Sequence, residues 1–204
     1  MREVDVGGRA LLALTFDDGP GDYTPAILNL LGRHGARATF FCLGERVQAR
    51  AEVVRRAVAE GHELGNHLFS HRHPEALADD EIRDEILRTA AEIERVTGVT
   101  AGLLRPPYGE EPERVAAIGA ELGLGPVVLW SIDPEDWRSP AADSIVQHVL
   151  DEARAGAIVD LHDGWGRTPR GRQPTVQALE RLLPELRSRD FDLVTVSELL
   201  DDAV

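Results

Sequence analysis

The chain has 204 residues, 43% of them hydrophobic and 28% charged, which favours one domain covering residues 1–204. Its 22 basic residues are outnumbered by 36 acidic ones, giving a formal net charge of −14. Such a chain would be repelled by nucleic acid and by anionic membrane surfaces, so neither is expected as a partner. Cys42 is the single cysteine, which excludes an internal disulfide and a cysteine-based zinc site.

The sequence carries no pattern of a membrane span or of a secretion signal. Its first apolar run, residues 10–14, is too short for either. We therefore expect the chain as given to be cytoplasmic, or secreted or cell-wall associated if an export signal has been removed. We also expect a monomer.

Short β-like runs alternate with longer segments of helical periodicity. In chain order, strands are predicted at residues 10–16, 38–43, 63–66, 103–105, 127–132, 157–161 and 192–195. Helices are predicted at residues 25–34, 46–60, 79–97, 112–122, 142–155 and 175–189. Five of these helical patterns are followed by a glycine, as a left-handed helix end prefers: Gly35, Gly61, Gly98, Gly123 and Gly156. The alternation predicts an α/β fold and fits a small (β/α) barrel better than an open dinucleotide-binding sheet.

Unusual polar clusters follow the predicted strands, where the loops of a barrel converge on one face. The first cluster is Asp17-Asp18, which ends an apolar strand and precedes Gly19-Pro20. One carboxylate can bind a cation while its neighbour addresses a substrate. The alternative is an acidic turn that caps the next helix.

Two histidines follow the third predicted strand at a spacing of four residues. His67 and His71 can reach one ion from a tight loop, and Asp18 would supply a third ligand. Three protein ligands leave positions open for water and substrate, as a catalytic metal requires. On spacing alone, His73 can take the place of His71.

The later strand ends carry further candidates. Arg105 precedes Pro106-Pro107 and can hold Asp17 ionised, while His162, oriented by a carboxylate such as Asp136, can act as a general acid. Strand alternation places Asp160 on the same face as His162. Each of these residues also has a purely structural interpretation.

Taken together and in order, these segments resemble the polysaccharide deacetylase family, also called the NodB-homology or carbohydrate esterase 4 family. The resemblance runs from Leu11 to about Leu199 and is carried by Thr-Phe-Asp-Asp-Gly-Pro, Arg-Pro-Pro-Tyr-Gly and Asp-Xaa-Xaa-Asp-Trp. It implies a distorted (β/α)7 barrel and removal of N-acetyl groups from chitin-like or peptidoglycan amino sugars.

The resemblance also implies a role for each matching residue. Asp17 resembles the catalytic base and His162 the acid, with Arg105 and Asp136 positioning them. The ligands of one divalent ion, expected to be zinc with cobalt, nickel or manganese as alternatives, are Asp18, His67 and His71. The Tyr108 backbone N–H resembles an oxyanion donor, and substrate contacts are expected from Tyr108, Trp137, Pro107, Leu161 and Asp160.

Two residues depart from the family pattern. Leu68 stands where a Thr or Ser usually steadies the loop, so metal affinity or loop order is expected to differ. Asp160 stands where an apolar residue usually walls the acetyl pocket, which puts acyl specificity in question. Three other functions remain open: a deacylase acting on another acyl group or an O-acetyl ester, an iron oxygenase with two histidines and one carboxylate, and a catalytically impaired glycan-binding or structural domain.

Overall fold

The structure is a computed structural model that describes residues 1–166 and 171–203. Its strands are β1 (Leu11–Gly19), β2 (Thr39–Cys42), β3 (Glu63–Asn66), β4 (Ile158–His162) and β5 (Asp192–Val194). Its helices are α1 (Thr24–Arg33), α2 (Gly44–Val47), α3 (Ala51–Ala59), α4 (Asp79–Thr97), α5 (Pro112–Glu121), α6 (Ala142–Glu152), α7 (Gln173–Ser188) and α8 (Val196–Asp201). Short 3₁₀ turns lie at Gln48–Arg50, Pro74–Ala76, Pro107–Gly109 and Asp136–Arg138.

The strands are parallel and run in the order β3-β2-β1-β4, while β5 pairs with the start of β1. Isolated bridges close the ring between β3 and β4. They join Asn66 to Leu104, Leu104 to Val127, and Ile132 to Val159. The fold is therefore a distorted (β/α) barrel, and the carboxyl ends of its strands meet on one face.

Two of the predicted strands, residues 103–105 and 127–132, form only these bridges. Pro106 and Pro107 lack the N–H groups that would continue the ladder after Arg105. At the other segment the Ser131 hydroxyl takes part, accepting a hydrogen bond from the Ile158 N–H at 3.1 Å. A barrel closed by such short contacts is distorted at this side.

Side chains along β1 point alternately to the two faces of the strand, and this determines which of them lie inside the barrel. Leu12, Leu14 and Phe16 belong to the large core cluster between sheet and helices, whereas Leu11 and Ala13 belong to the cluster on the other face. Thr15 and Asp17 continue that second face toward the carboxyl end of the strand. The barrel interior thus changes from apolar to polar along β1.

The helices follow the predicted periodicity with two differences. The predicted helix at residues 46–60 is divided into α2, a 3₁₀ turn and α3, because Arg50 has a non-helical φ of −124° and ψ of 31°. The unpredicted α8 is capped by Thr195, which precedes it and whose side chain accepts a hydrogen bond from the Glu198 N–H in a capping box. The glycines expected at helix ends all have positive φ, including Gly98 at 73° after α4. None of the described helices has the length and apolarity needed to cross a membrane.

Candidate active site

A cavity of about 490 Å³ opens at the carboxyl ends of the strands. The described residues that line it are Asp17, Asp18, His67, His71, Tyr108, Trp130, Asp133, Trp137, Asp160, His162, Gly166 and Arg172. Most of the residues singled out in the sequence therefore meet in one place, although they come from distant segments of the chain.

Both carboxylates at the end of β1 reach this cavity. The register with β2 shifts between Asp17 and Gly19, and Asp18 takes a left-handed φ of 69°. Such a bulge re-aims a side chain that would otherwise point to the opposite face of the strand. The irregularity of β1 thus explains how two adjacent residues line one cavity.

Asp18, His67 and His71 form a buried cluster whose candidate ligand atoms all lie within 4.8 Å of one another. Oδ1 of Asp18 is 3.5 Å from Nε2 of His67 and 2.9 Å from Nε2 of His71. Despite the second distance, this oxygen has no aligned hydrogen-bond donor. A buried carboxylate oxygen facing two imidazole nitrogens without a hydrogen bond fits a cation site.

The surroundings of the cluster support the same interpretation. Nδ1 of His67 lies 2.8 Å from the carbonyl oxygen of Arg105, and donating there leaves the Nε2 lone pair directed at the cluster. Although burial opposes ionisation, the contacts of Asp18 with His67 and His71 hold its pKa well below the usual range. Asp18 is therefore an anion, as a metal ligand must be.

His73 does not belong to this cluster. Its side chain is exposed, its Nδ1 lies 3.0 Å from Oε1 of Glu110, and its ring stacks on Tyr108 at 3.9 Å. Of the two histidines that spacing left open, the structure brings His71 and not His73 to Asp18 and His67.

Four residues around the cavity adopt left-handed backbone conformations that non-glycine residues rarely take. They are Asp18, Leu68, His71 and Tyr108, with φ between 54° and 69°. Each such residue costs on the order of 1–3 kcal/mol and persists only when its surroundings hold it. Leu68 is held because its side chain is fully buried and its N–H donates to Oδ1 of Asn66 at 3.0 Å. These contacts hold the loop at Leu68 in its left-handed conformation.

Arg105 lies fully buried beneath the cavity and organises one side of it. Its Nη1 donates to Oδ1 of Asp17 at 2.8 Å, to Oγ1 of Thr15 at 2.8 Å and to Oδ1 of Asp160 at 3.0 Å. Asp17 and Asp160 thus share one guanidinium nitrogen. Burial and the charge of Asp17 hold the pKa of Asp160 well above its usual range.

His162 lies on the other side of the cavity, on β4. Its Nδ1 is 2.7 Å from Oδ1 of Asp136, while Oδ2 of Asp136 accepts hydrogen bonds from the His162 N–H and from Thr175 Oγ1. Burial works against protonation of the ring, but the carboxylates of Asp136 and Asp160 outweigh it and raise the pKa of His162 to about 10. The ring therefore carries a proton at neutral pH.

Two partly exposed aromatic rings, Tyr108 and Trp137, stand at the cavity mouth, being 45% and 40% exposed. Leu161 is instead fully buried in the core behind β4, since alternation directs it away from Asp160 and His162. Pro107 is buried in its 3₁₀ turn and is not among the described lining residues. Among the described residues, Leu161 and Pro107 therefore do not line the cavity, unlike the other expected substrate contacts.

Glu85 was missed by the sequence analysis. It lies on the buried face of α4 and accepts hydrogen bonds from the Phe69 and Ser70 N–H groups at 2.9 and 2.8 Å and from Ser70 Oγ at 2.6 Å. An acidic residue within an apolar helical stripe was the available signal. Arg46 was also missed; its Nη1 donates to the Asp18 carbonyl at 2.7 Å.

Comparison with known proteins assigns the chain to a family. The family model described as polysaccharide deacetylase matches residues 6–127. The chain belongs to the polysaccharide deacetylase family. A peptidoglycan-N-acetylglucosamine deacetylase of Bacillus cereus is 41% identical to it over 192 residues, which cover 93% of this chain and 88% of the relative. A chitooligosaccharide deacetylase of Bradyrhizobium is 40% identical over 207 residues, which cover 96% and 93% of the two chains.

Solved structures of polysaccharide deacetylases share the fold. The crystal structure of the Bc1960 peptidoglycan N-acetylglucosamine deacetylase matches with a TM-score of 0.89 at 36% identity, covering 97% of this chain and 91% of that one. BA3943 of Bacillus anthracis, a pseudoenzyme of carbohydrate esterase family 4, matches with a TM-score of 0.89 at 28% identity, covering 99% and 69%. The family thus contains both active and inactive members. Whether this chain is active has to be judged from the side chains that line its cavity.

Proposed function

We propose that this polysaccharide deacetylase is a metal-dependent hydrolase that removes N-acetyl groups from N-acetylglucosamine-containing glycans of the chitooligosaccharide or peptidoglycan kind, with removal of another acyl group as the alternative. The observation that carries the proposal is the buried cluster of Asp18, His67 and His71, flanked by the carboxylate of Asp17 and the imidazole of His162. The names of the relatives support the glycan class.

Asp18, His67 and His71 would hold one divalent ion, with zinc as the first candidate and cobalt, nickel or manganese as alternatives. The ion, when bound, supplies Lewis acidity to the amide carbonyl. Oδ2 of Asp17 lies 3.7 Å from Nε2 of His67, so the proposed base stands directly beside the cluster formed by Asp18, His67 and His71. In this proposal Asp18 binds the ion, and the adjacent Asp17 acts as the base.

Asp17, held by Arg105, accepts a proton from the attacking water. His162, which carries a proton at neutral pH, donates it to the amine as the carbon–nitrogen bond breaks. The Tyr108 backbone N–H is the proposed donor to the developing oxyanion. Trp137 and Tyr108, at the mouth, offer their rings to the sugar.

Replacement of the proposed base tests this function. Asp17→Asn keeps the size of the side chain and removes its basicity, so release of carboxylate from N-acylated chitooligosaccharides should fall by at least about 100-fold. Asp151→Asn, on the exposed face of α6, is the matched control and should keep the wild-type rate. Equal rates for Asp17→Asn and wild type, with the metal bound, would remove Asp17 from the mechanism.

The BA3943 likeness makes a catalytically impaired glycan-binding domain the second candidate. It predicts binding of chitooligosaccharides with no release of carboxylate at any metal loading. The proposed function predicts release that depends on metal.

A further inference from the structure

Asp160 lies at the deep end of the cavity. On β4 it shares a face with His162, and in the ladder with β1 it pairs with Thr15 whereas His162 pairs with Asp17. Asp160 is therefore one pleat deeper in the barrel than the proposed base and acid. On the β4 side, the site therefore presents a carboxyl group at this depth.

The contacts of Asp160 leave part of its hydrogen-bonding capacity unused. Oδ1 accepts from Arg105, and the side chain is only 4% exposed while it lines the cavity. Within residues 1–166 and 171–203, no hydrogen bond to Oδ2 is found. The charged and titratable groups that face it are Asp17 on β1, Arg105 after β3, Asp133 before α6 and His162 on its own strand.

The groups that line the rest of the cavity determine how a substrate would be oriented toward Asp160. This step rests on the proposed function. The sugar stays at the mouth, where the rings of Tyr108 and Trp137 are partly exposed, and the scissile carbonyl lies between Asp17 and His162. The substituent on the acyl carbon is then directed inward, toward Asp160.

We propose that Asp160 is a specificity-determining residue that selects amide substrates whose acyl group carries a hydroxyl, as in N-hydroxyacetyl (N-glycolyl) amino sugars. A hydroxyl can donate to an ionised carboxylate, and it can both donate to and accept from a protonated one. The methyl of an acetyl group offers no partner to the carboxyl oxygen that faces the cavity, and sites built to bind a hydroxyl discriminate strongly against analogues that lack it.

The reaction itself is unchanged by this preference. Hydrolysis breaks the amide carbon–nitrogen bond, adds the oxygen of water to the acyl carbon and transfers a proton to the amine. The products are hydroxyacetate and the free amino sugar. No further reactant is required.

A pair of matched substrates tests the proposal: chitotriose carrying N-hydroxyacetyl groups and chitotriose carrying N-acetyl groups. With metal-loaded wild-type protein, we expect kcat/KM to be at least about tenfold higher for the hydroxyacetyl substrate. Asp160→Leu should reverse the preference, while Asp151→Leu, on the surface of α6, should keep the wild-type ratio. A wild type that prefers acetyl, or a ratio that Asp160→Leu leaves unchanged, would overturn the inference.

A second variant and a binding measurement cover the case in which Asp160→Leu does not fold. Asp160→Asn keeps an acceptor for Arg105 and a polar group toward the cavity, so it should retain the hydroxyacetyl preference. By calorimetry, hydroxyacetate should bind the wild type at least about tenfold more tightly than acetate. Equal affinities for the two anions would contradict the proposal.

These experiments separate this inference from the proposed function. Release of acetate at least as fast as hydroxyacetate by the wild type would reject the role of Asp160 and keep the deacylase. Release of neither acid at any metal loading, together with equal binding of the two anions, would reject both.

Discussion

The proton on His162 depends on one carboxylate more than on any other neighbour. Asp136 is almost completely buried, contacts Nδ1 of the ring and is itself fixed by Thr175. Because the ring is also buried, its charged form is opposed by desolvation, and the charge of Asp136 is the largest of the contributions that offset this cost.

Asp136→Asn should therefore lower the pKa of His162 from about 10 and leave the ring largely neutral at pH 8. The basic limb of the pH–kcat profile should move to lower pH, with kcat at pH 8 reduced about tenfold or more. NMR titration of the ring provides the direct measurement. Glu152→Gln, which alters the exposed His148–Glu152 pair, is the control. An unchanged basic limb in Asp136→Asn would contradict the assignment.

The two candidate histidines of the 67–73 segment give a second prediction. His71→Ala should lose metal binding, measured as bound zinc per chain after dialysis, because it removes one of the three proposed ligands. His73→Ala should keep about one zinc per chain. The opposite pattern would transfer the ligand role to His73.

At this scale the sequence predicted the residues that line the cavity better than those that support them. Asp17, Asp18, His67 and His162 stand at strand ends in recognisable motifs. Leu161 was misplaced because its neighbours in the sequence line the cavity while strand alternation turns it into the core. What Asp160 contacts could not be predicted, since Arg105 is 55 residues away in the chain.

At the scale of elements, the loop between β3 and α4 depends on neighbouring elements for its shape. Gly44 and Glu45 at the start of α2 donate backbone hydrogen bonds to the carbonyls of Leu68 and Phe69. Glu85 of α4 accepts from the other side. The loop that presents His67 and His71 is thus fixed between two helices.

Glu85→Ala should destabilise the protein by about 2–4 kcal/mol, because two partly buried N–H groups and a hydroxyl lose their acceptor. Urea unfolding measures the loss, and zinc affinity should fall with it because the ligand loop is released. Glu94→Ala, exposed on the same helix, should change neither quantity. Stability equal to that of wild type in Glu85→Ala would show that α4 does not hold the loop.

Most elements were predicted within a few residues because their periodicity is strong and glycines mark their ends. The exceptions have physical causes. The 103–105 and 127–132 segments are kept in the barrel by single bridges, and α2 is shaped by contacts with a distant loop. Neither leaves a periodic signature. The Thr195 and Glu198 pair that begins α8 was a readable local signal.

At the scale of the whole molecule, the buried groups Asp163 and His162 bind protons more tightly in the folded state than in the unfolded chain, and the raised pKa of Asp160 acts in the same direction. Burial, together with the charges of Asp18 and Asp17, raises the pKa of Asp163 from 3.8 to about 7 against the opposing effect of Thr24. His162 is raised from 6.5 to about 10. For Asp163 the folded state holds the extra proton between about pH 4 and 7, and for His162 between about pH 6.5 and 10, so stability falls with rising pH in both windows.

We therefore expect the urea midpoint of metal-free protein, kept with a chelator, to decrease from pH 5 to pH 7 and again to pH 9. Asp163→Asn removes one titrating group and should flatten the decrease between pH 5 and pH 7. Asp151→Asn should leave the profile unchanged. A midpoint that rises from pH 5 to pH 9 would contradict the direction of both shifts.

Asp17 and His162 are register partners on adjacent strands. Their separation is fixed by the hydrogen-bonded spacing of the sheet, about 5 Å between strands, and not by any loop. Insertions or exchanges in the loops that surround the cavity can therefore reshape what enters it without altering the distance between the proposed proton acceptor and donor. The substrates accepted by this fold can therefore change through its loops while Asp17 and His162 keep their spacing.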